Sequence, residues 1–309
     1  MKFDGRSLSL VACATGVVGS LLLYGLLQEK IMQRPYDGLH FRHTLFLVLI
    51  NRVVTAFASA ILCIVNKVSM RPPVSVAAFA SISLSNVVAT TSQYEALKYI
   101  SFAFATLAKS AKMVPVMIWG TIMPPRKQYA PKDYLVAVAV AIGCTLFVLA
   151  GDIPRTSKSH DSPSSLLAGV LLMCTYLAFD GYTSVKQSQI FTQTDMSVTV
   201  CTFWVNVLSA SLSLFGLLLG GAFLPAVGFA AAHPQLLNDA LVLSIASMSA
   251  QLIITKTIKV HGALVFATIM VTRQLLSVLA SCVVYKHTLT PVQLGGAILV
   301  FAALYLRGR

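Results

Sequence analysis

Charge is what this sequence has least of, and acid above all: Asp and Glu together number 10 in 309 residues, and charged residues of both signs make up only 11%. A soluble domain takes about a quarter of its residues from Asp, Glu, Lys and Arg. Apolar residues stand in their place at 57%, and the mean hydropathy is +0.80. A lipid bilayer must therefore be the solvent for most of the surface, which makes membrane lipid the first partner. The shortage of acid also narrows the chemistry, because metal binding and general base catalysis lean on carboxylates. No HExxH, GxSxG or GxxxxGK[ST] segment is present, and the six histidines fall in loops or near the ends of apolar runs. The six cysteines lie inside apolar runs without CxxC spacing and read as small core residues, not metal ligands. No catalytic residue, metal site or cofactor motif emerges. A membrane-embedded transferase is kept as an alternative of another class.

Basic residues are the exception to the scarcity: 23 Lys and Arg bring the net charge to +13. In a soluble protein this would suggest nucleic acid as a partner. Here most of them sit in short loops between apolar runs, where basic excess reports orientation, and nucleic acid is excluded. Apolar windows bounded by charge, Pro or polar clusters fall near residues 7–27, 44–66, 74–93, 100–122 and 133–150, then near 164–185, 198–221, 236–258, 262–284 and 291–307. The first runs too far to be a cleaved signal segment. The fold class expected is an all-α membrane protein of about ten transmembrane helices. The polar stretch at 151–163 is the linker between residues 1–150 and 164–309. Five spans on each side is an odd number, so two related halves would be inverted repeats. A shift of 161 positions sets Lys98 on Lys259 and Lys112 on Arg273. With ten spans, the loop-borne bases divide twelve to seven in favour of the side holding both termini, which predicts cytosolic termini.

Four bases remain inside spans: Arg52, Lys109, Lys112 and Arg273. A mid-span charge costs about 2.5–3.5 kcal/mol on insertion scales, so something must neutralise these groups. Arg52, nearer a helix end, reads as a snorkelling or packing residue. Lys109 and Lys112 share one helical face, and the acids on offer are Asp180 and, at a helix end, Glu95. An excess of bases over acids at this depth predicts an anion site, and Lys with Arg suits phosphate. Pro115 is expected to break the helix beside it. Tyr24, Tyr94, Tyr176, Tyr182 and Trp204 are aromatics able to stack on a base, although packing is the commoner use of such residues. Gly216 and Gly220 form a GxxxG expected to bring helices close.

Three segments carry a resemblance: QYEALKYISFAFATLAKSAKMVPVMIWG at 93–120, FDGYTS at 179–184 and GALVFATIMVTRQ at 262–274. Together they resemble the nucleotide-sugar transporters of the drug/metabolite transporter superfamily, closest to solute carrier family 35 subfamily B. That subfamily includes plant UDP-galactose/UDP-glucose transporters and carriers of 3′-phosphoadenosine 5′-phosphosulfate. The resemblance implies ten helices in two inverted five-helix repeats and residence in the Golgi or endoplasmic reticulum membrane. It implies exchange of a cytosolic nucleotide-sugar for a nucleoside monophosphate; the alternative is a nucleotide-sulfate exchanged for a bisphosphate. A homodimer is compatible with it. Substrate contact carries over to Lys109, Lys112, Thr272, Arg273, Gln274, Tyr94, Glu95 and Asp180, with Tyr182 from the same FDGYTS segment. Ser101 to Ala105 depart from the SFPxQ of many relatives, and Ser188 stands where an acid often follows the glutamine. By the inverted repeat, Lys112 and Arg273 should approach one another. Neutral substitution of either should then spare folding and weaken transport, with Lys109 partly serving Asp180 or Glu95.

Overall fold

The computed structural model describes residues 5–33, 35–39, 41, 43–96, 99–100, 105, 108–109, 111–149, 163–284 and 290–308. The expected linker lies outside them up to residue 162, as does the 101–104 stretch. Among the described residues the chain is helical, its one β feature an isolated bridge between Tyr36 and Leu39. The helices are α1 (Gly5–Gln33), α2 (Thr44–Val65), α3 (Val76–Ala96), α4 (Met113–Ile122) and α5 (Pro131–Leu149). They continue with α6 (Pro163–Gln193), α7 (Val198–Leu219), α8 (Phe223–Ala232), α9 (Pro234–Val284) and α10 (Pro291–Gly308). Three stretches, Thr44–Val65, Val198–Leu219 and Pro234–Arg273, are long and apolar enough to cross a membrane. The chain is a multi-pass membrane protein.

One feature departs from the expected spans. The ten-residue α8 falls between windows, too short to register as a span. The windows at 236–258 and 262–284 are two helices, as expected, written together as α9 and parted by the non-helical Gly262, at φ +83° and ψ 167°, with that one residue in place of a loop. Cys13, Cys63 and Cys201 are buried as expected, whereas Cys174 is exposed on the outer face of α6.

Two compact units form, and each draws on both halves of the sequence: 1–91 with 186–262, and 92–185 with 263–309. In the first, α2 packs along α7. Both helices end alike. Lys67, with φ +52°, follows α2, where Val68 N–H donates to Cys63 O and Lys67 N–H to Ile64 O. Gly221, with φ +62°, follows α7, where Ala222 N–H donates to Leu217 O and Gly221 N–H to Leu218 O. This pattern satisfies carbonyls that the last turn would otherwise leave bare. Gly216 approaches Leu45 of α2, but Gly220 caps α7 and faces no neighbouring helix, so only half of the GxxxG serves packing.

Arg52 does not snorkel. Its guanidinium points inward and donates to Asn86 Oδ1 at 2.8 Å, Thr90 Oγ1 at 3.3 Å and Asn206 Oδ1 at 3.4 Å, tying α2 to α3 and α7. Trp204 is a packing residue, its Nε1 donating to Met70 O at 2.8 Å while its ring stacks on Phe79. The α1–α2 connection turns at Asp37 and Gly38 and is tied to the start of α9. Lys30 Nζ lies 2.6 Å from Asp239 Oδ1, and Tyr36 Oη donates to Asp239 Oδ2 at 3.0 Å. Burial, and then the bond to Asp239 and its charge, push the Tyr36 hydroxyl well above its ordinary range, so it stays a neutral donor.

In the second unit α5 packs along α10. A Cβ on Gly143 would stand 2.7 Å from Gly296 O and from Val300 Cγ2, so these helices meet almost backbone to backbone. The core here comes from Met113, Val116 and Met117 of α4, Val136 and Val140 of α5, Val271 of α9 and Val300 of α10.

Candidate functional site

The mid-span bases Lys109, Lys112 and Arg273 all fall in the second unit. Lys109 and Lys112 precede α4. Lys112 N–H donates to Lys109 O and Val114 N–H to Ala111 O, so the chain tightens into i→i+3 turns just before the regular helix begins at Met113. In such a turn residues three apart eclipse one another, which keeps the two lysines on one side. Pro115 therefore sits in the first turn of α4, where its missing N–H costs nothing, and the irregularity lies just upstream of it.

From that side the lysines diverge. Lys112 is almost wholly buried at 3% exposure, with Nζ 2.5 Å from Asp180 Oδ2 and 4.4 Å from the centroid of the Phe266 ring. It has an acid on one side and a π face on the other, as a buried ammonium requires. Lys109 is only partly buried and lies 5.8 Å from the Tyr176 ring centroid. Asp180 and Tyr176, four apart on α6, share a helical face and so meet the two lysines together. Lys112 holds the close contact with Asp180, while Lys109 feels the charge of that acid from farther away.

Gly181 makes the pairing geometrically possible. A Cβ there would meet Pro115 C and Cβ at 3.1 Å and Val116 N at 3.2 Å, so α6 rests directly on the first turn of α4. Gly181→Ala must push backbone from backbone, and overpacking of this kind costs roughly 1–3 kcal/mol. The variant is expected to melt several degrees below the native protein in detergent; unchanged melting would show the contact to be slack.

Arg273 lies on α9 beyond Gly262, partly buried, and its Nε is enclosed without a hydrogen-bond partner among the described residues. Its charge acts on Lys109 and on Tyr176, and Lys109 in turn feels Asp180 and Lys112. Among the described residues, the cations Lys109, Lys112 and Arg273 act electrostatically on one another or on Asp180 and Tyr176. Such a cluster can hold an anion through movable ammonium groups and a planar guanidinium.

The remaining expected residues are placed differently. Thr272 commits its hydroxyl to Thr268 O at 2.9 Å. Tyr182, two residues from Asp180 and so on another face of α6, packs edge-on against Trp119 with centroids 5.3 Å apart. Trp119 Nε1 donates to Ala178 O at 2.8 Å. This pair staples α4 to α6 and contributes to the core. Tyr94 is fully buried at the end of α3, with Glu95 partly buried beside it. The Gln274 side chain lies outside the described residues. Phe266 is not singled out by the sequence, and Tyr176 stands there only among the aromatics able to stack on a base. The spacing of Tyr176 one turn before Asp180 was the available signal for it.

The model of the UAA transporter family matches residues 9–308. The chain is 43% identical over 302 residues to UDP-galactose/UDP-glucose transporter 5 of Arabidopsis thaliana, covering 96% of this chain and 86% of the relative. It is 39% identical over 306 residues to adenosine 3′-phospho 5′-phosphosulfate transporter 1 of Dictyostelium discoideum, covering 97% and 84%. The human transporter of that name is 39% identical over 309 residues, at 98% and 70% coverage. One crystal structure, at 14% identity, shares the fold with a TM-score of 0.61 over 94% of this chain and 96% of its own. A match running nearly end to end, with transporters as the relatives and no enzyme among those named, makes the chain a member of the UAA transporter family.

Proposed function

We propose that the chain is an antiporter carrying a UDP-galactose- or UDP-glucose-type nucleotide-sugar from the cytosol into the Golgi or endoplasmic reticulum lumen, against a nucleoside monophosphate. The observation that carries this reading is the cationic excess around Lys109 and Arg273 among the described residues, with a guanidinium Nε that has no partner among them. Phosphate supplies the charge and the acceptors such a group wants. The identity to the plant UDP-sugar transporter, 43% against 39% for the phosphosulfate carriers, favours the UDP-hexose branch. The phosphosulfate remains the second reading because those carriers also match along nearly all of this chain.

The architecture proposed for this task is ten membrane helices in two inverted repeats, 1–150 and 164–309 joined by the 151–163 linker, with both termini cytosolic. Three pairings support it. Helices α2 and α7, equivalent in such a repeat, are each 22 residues long, pack together and end in the same hydrogen-bond pattern. The equivalent α5 and α10 also pack together. Lys112 and Arg273 occupy matching positions under the 161-residue shift.

Purified protein in liposomes preloaded with UMP is expected to take up labelled UDP-glucose or UDP-galactose without ATP, and unlabelled UMP should compete better than adenosine 3′,5′-bisphosphate. The reverse order would favour the phosphosulfate reading. A requirement for ATP hydrolysis, or a covalently altered substrate, would defeat the antiporter reading.

A further inference from the structure

We infer that α8 is a docking surface for lipid: a helix that does not span, laid shallowly in the hydrocarbon of one leaflet, its outer face covered by acyl chains. The inference stands apart from the carrier reading and holds whatever the chain carries. None of the ten side chains of Phe223–Ala232 is polar. At 1.5 Å per residue the helix is about 15 Å long, half of the roughly 30 Å that a span must cross. Its inner side is set against protein: Ala226 and Ala230, one turn apart, are buried in a core with Ile31, Tyr36, Phe41 and Leu236. Its outer side is Leu224, Val227, Gly228 and Ala231, which are neighbours on a helix surface and all exposed, Leu224 at 78%.

The elements at its two ends say what covers that side. Before it comes α7, long and apolar enough to cross a membrane, joined to α8 by the turn at Gly221. Leu214, Phe215, Leu218 and Leu219, in the last turns of α7, are exposed, and on a spanning helix the solvent for such residues is lipid. Leu224 continues this apolar surface past the turn. Polar groups gather at the other end of α8. His233, whose N–H donates to Phe229 O, lies 3.7 Å from Asp37, and Lys30 and Tyr36 meet Asp239 near the start of α9. The Asp37 side chain is 88% exposed, so this end marks the water side. An ordinary interfacial helix turns a charged face to water. Helix α8 has no such face. The α1–α2 connection takes the place of water along its inner side, and the outer side is left to the acyl chains of the leaflet that borders this connection.

The test places a reporter on the outer face. Full-length Leu224→Trp is reconstituted in vesicles of phosphatidylcholine brominated either near the headgroup or near the methyl end of its chains. Emission from Trp119 and Trp204 is subtracted with the unsubstituted protein in the same lipid. The added emission is expected at short wavelength, insensitive to iodide present on both sides of the membrane. Shallow bromine should remove most of it, and deep bromine less. Quenching by iodide puts the outer face in water. Quenching by neither agent puts it against protein, as in contact with a second copy of the chain. Stronger quenching by deep bromine puts α8 across the leaflet and not along it. Each of these three results overturns the proposal. Should Leu224→Trp not fold, Val227→Trp, one turn along the same face, is read in the same way. A protein that exchanges nucleotides yet shows iodide quenching loses only this inference and keeps the carrier reading.

Discussion

Arg273→Gln is expected to fold, reach the membrane and fail as a carrier. In the ligand-free protein the Arg273 Nε has no described partner to lose, and its charge already opposes that of Lys109. Removing one of two like charges relieves repulsion, so melting in detergent should hold or rise slightly. The ligand loses a charge-assisted contact worth roughly 1.5–3 kcal/mol, or about 10- to 150-fold in affinity. UMP competition in proteoliposomes, read beside melting of the same preparation, separates the two effects. Normal affinity in a well-folded variant would remove Arg273 from the site.

Lys112→Met should do the opposite and damage folding first. Its loss leaves the Asp180 carboxylate without the ammonium 2.5 Å away. Breaking a buried pair from one side costs about 3–5 kcal/mol, and the lower end applies here because the Asp180 side chain keeps 24% of its surface exposed. Replacing both partners is far milder, because no charge is stranded. Lys112→Met/Asp180→Leu should therefore regain most of the stability that Lys112→Met loses. Expression and melting of the single and double variants complete a cycle whose coupling would be near zero if the ion pair contributed nothing. This reverses the expectation drawn from the inverted repeat, under which a neutral residue at 112 would have been harmless.

That reversal marks what periodicity and composition cannot carry. The apolar windows foretold where helices lie, since their length and boundaries follow directly from the cost of exposing polar groups to lipid. That Lys109, Lys112 and Arg273 stand inside spans was equally visible, because each is improbable at its depth. The partner of Lys112 was not legible. It depends on which face of α6 meets the first turn of α4, and that is decided by Gly181 lying on Pro115, a contact between residues 66 positions apart that no local pattern encodes. The neighbour of Tyr182 was not legible for the same reason. Tyr182 shares a segment with Asp180, but two residues along a helix turn it toward Trp119 and away from the acid's side. The division of α9 was legible, since the windows at 236–258 and 262–284 part where Gly262 leaves helical geometry; only the loop suggested by Lys259 is missing, because the backbone stays helical up to that glycine.

Gly262 is also unusual in what it demands of its occupant. A Cβ built there finds only Ser188 Oγ, 4.0 Å away, so there is room for a side chain. Yet φ +83° with ψ 167° is a region essentially closed to L residues and open to their mirror images. The constraint is therefore one of handedness, not of volume: a D-alanine would rest there unstrained, while L-alanine, the smallest chiral residue the ribosome can supply, would not. Glycine holds the position because it alone among the encoded amino acids has no hand.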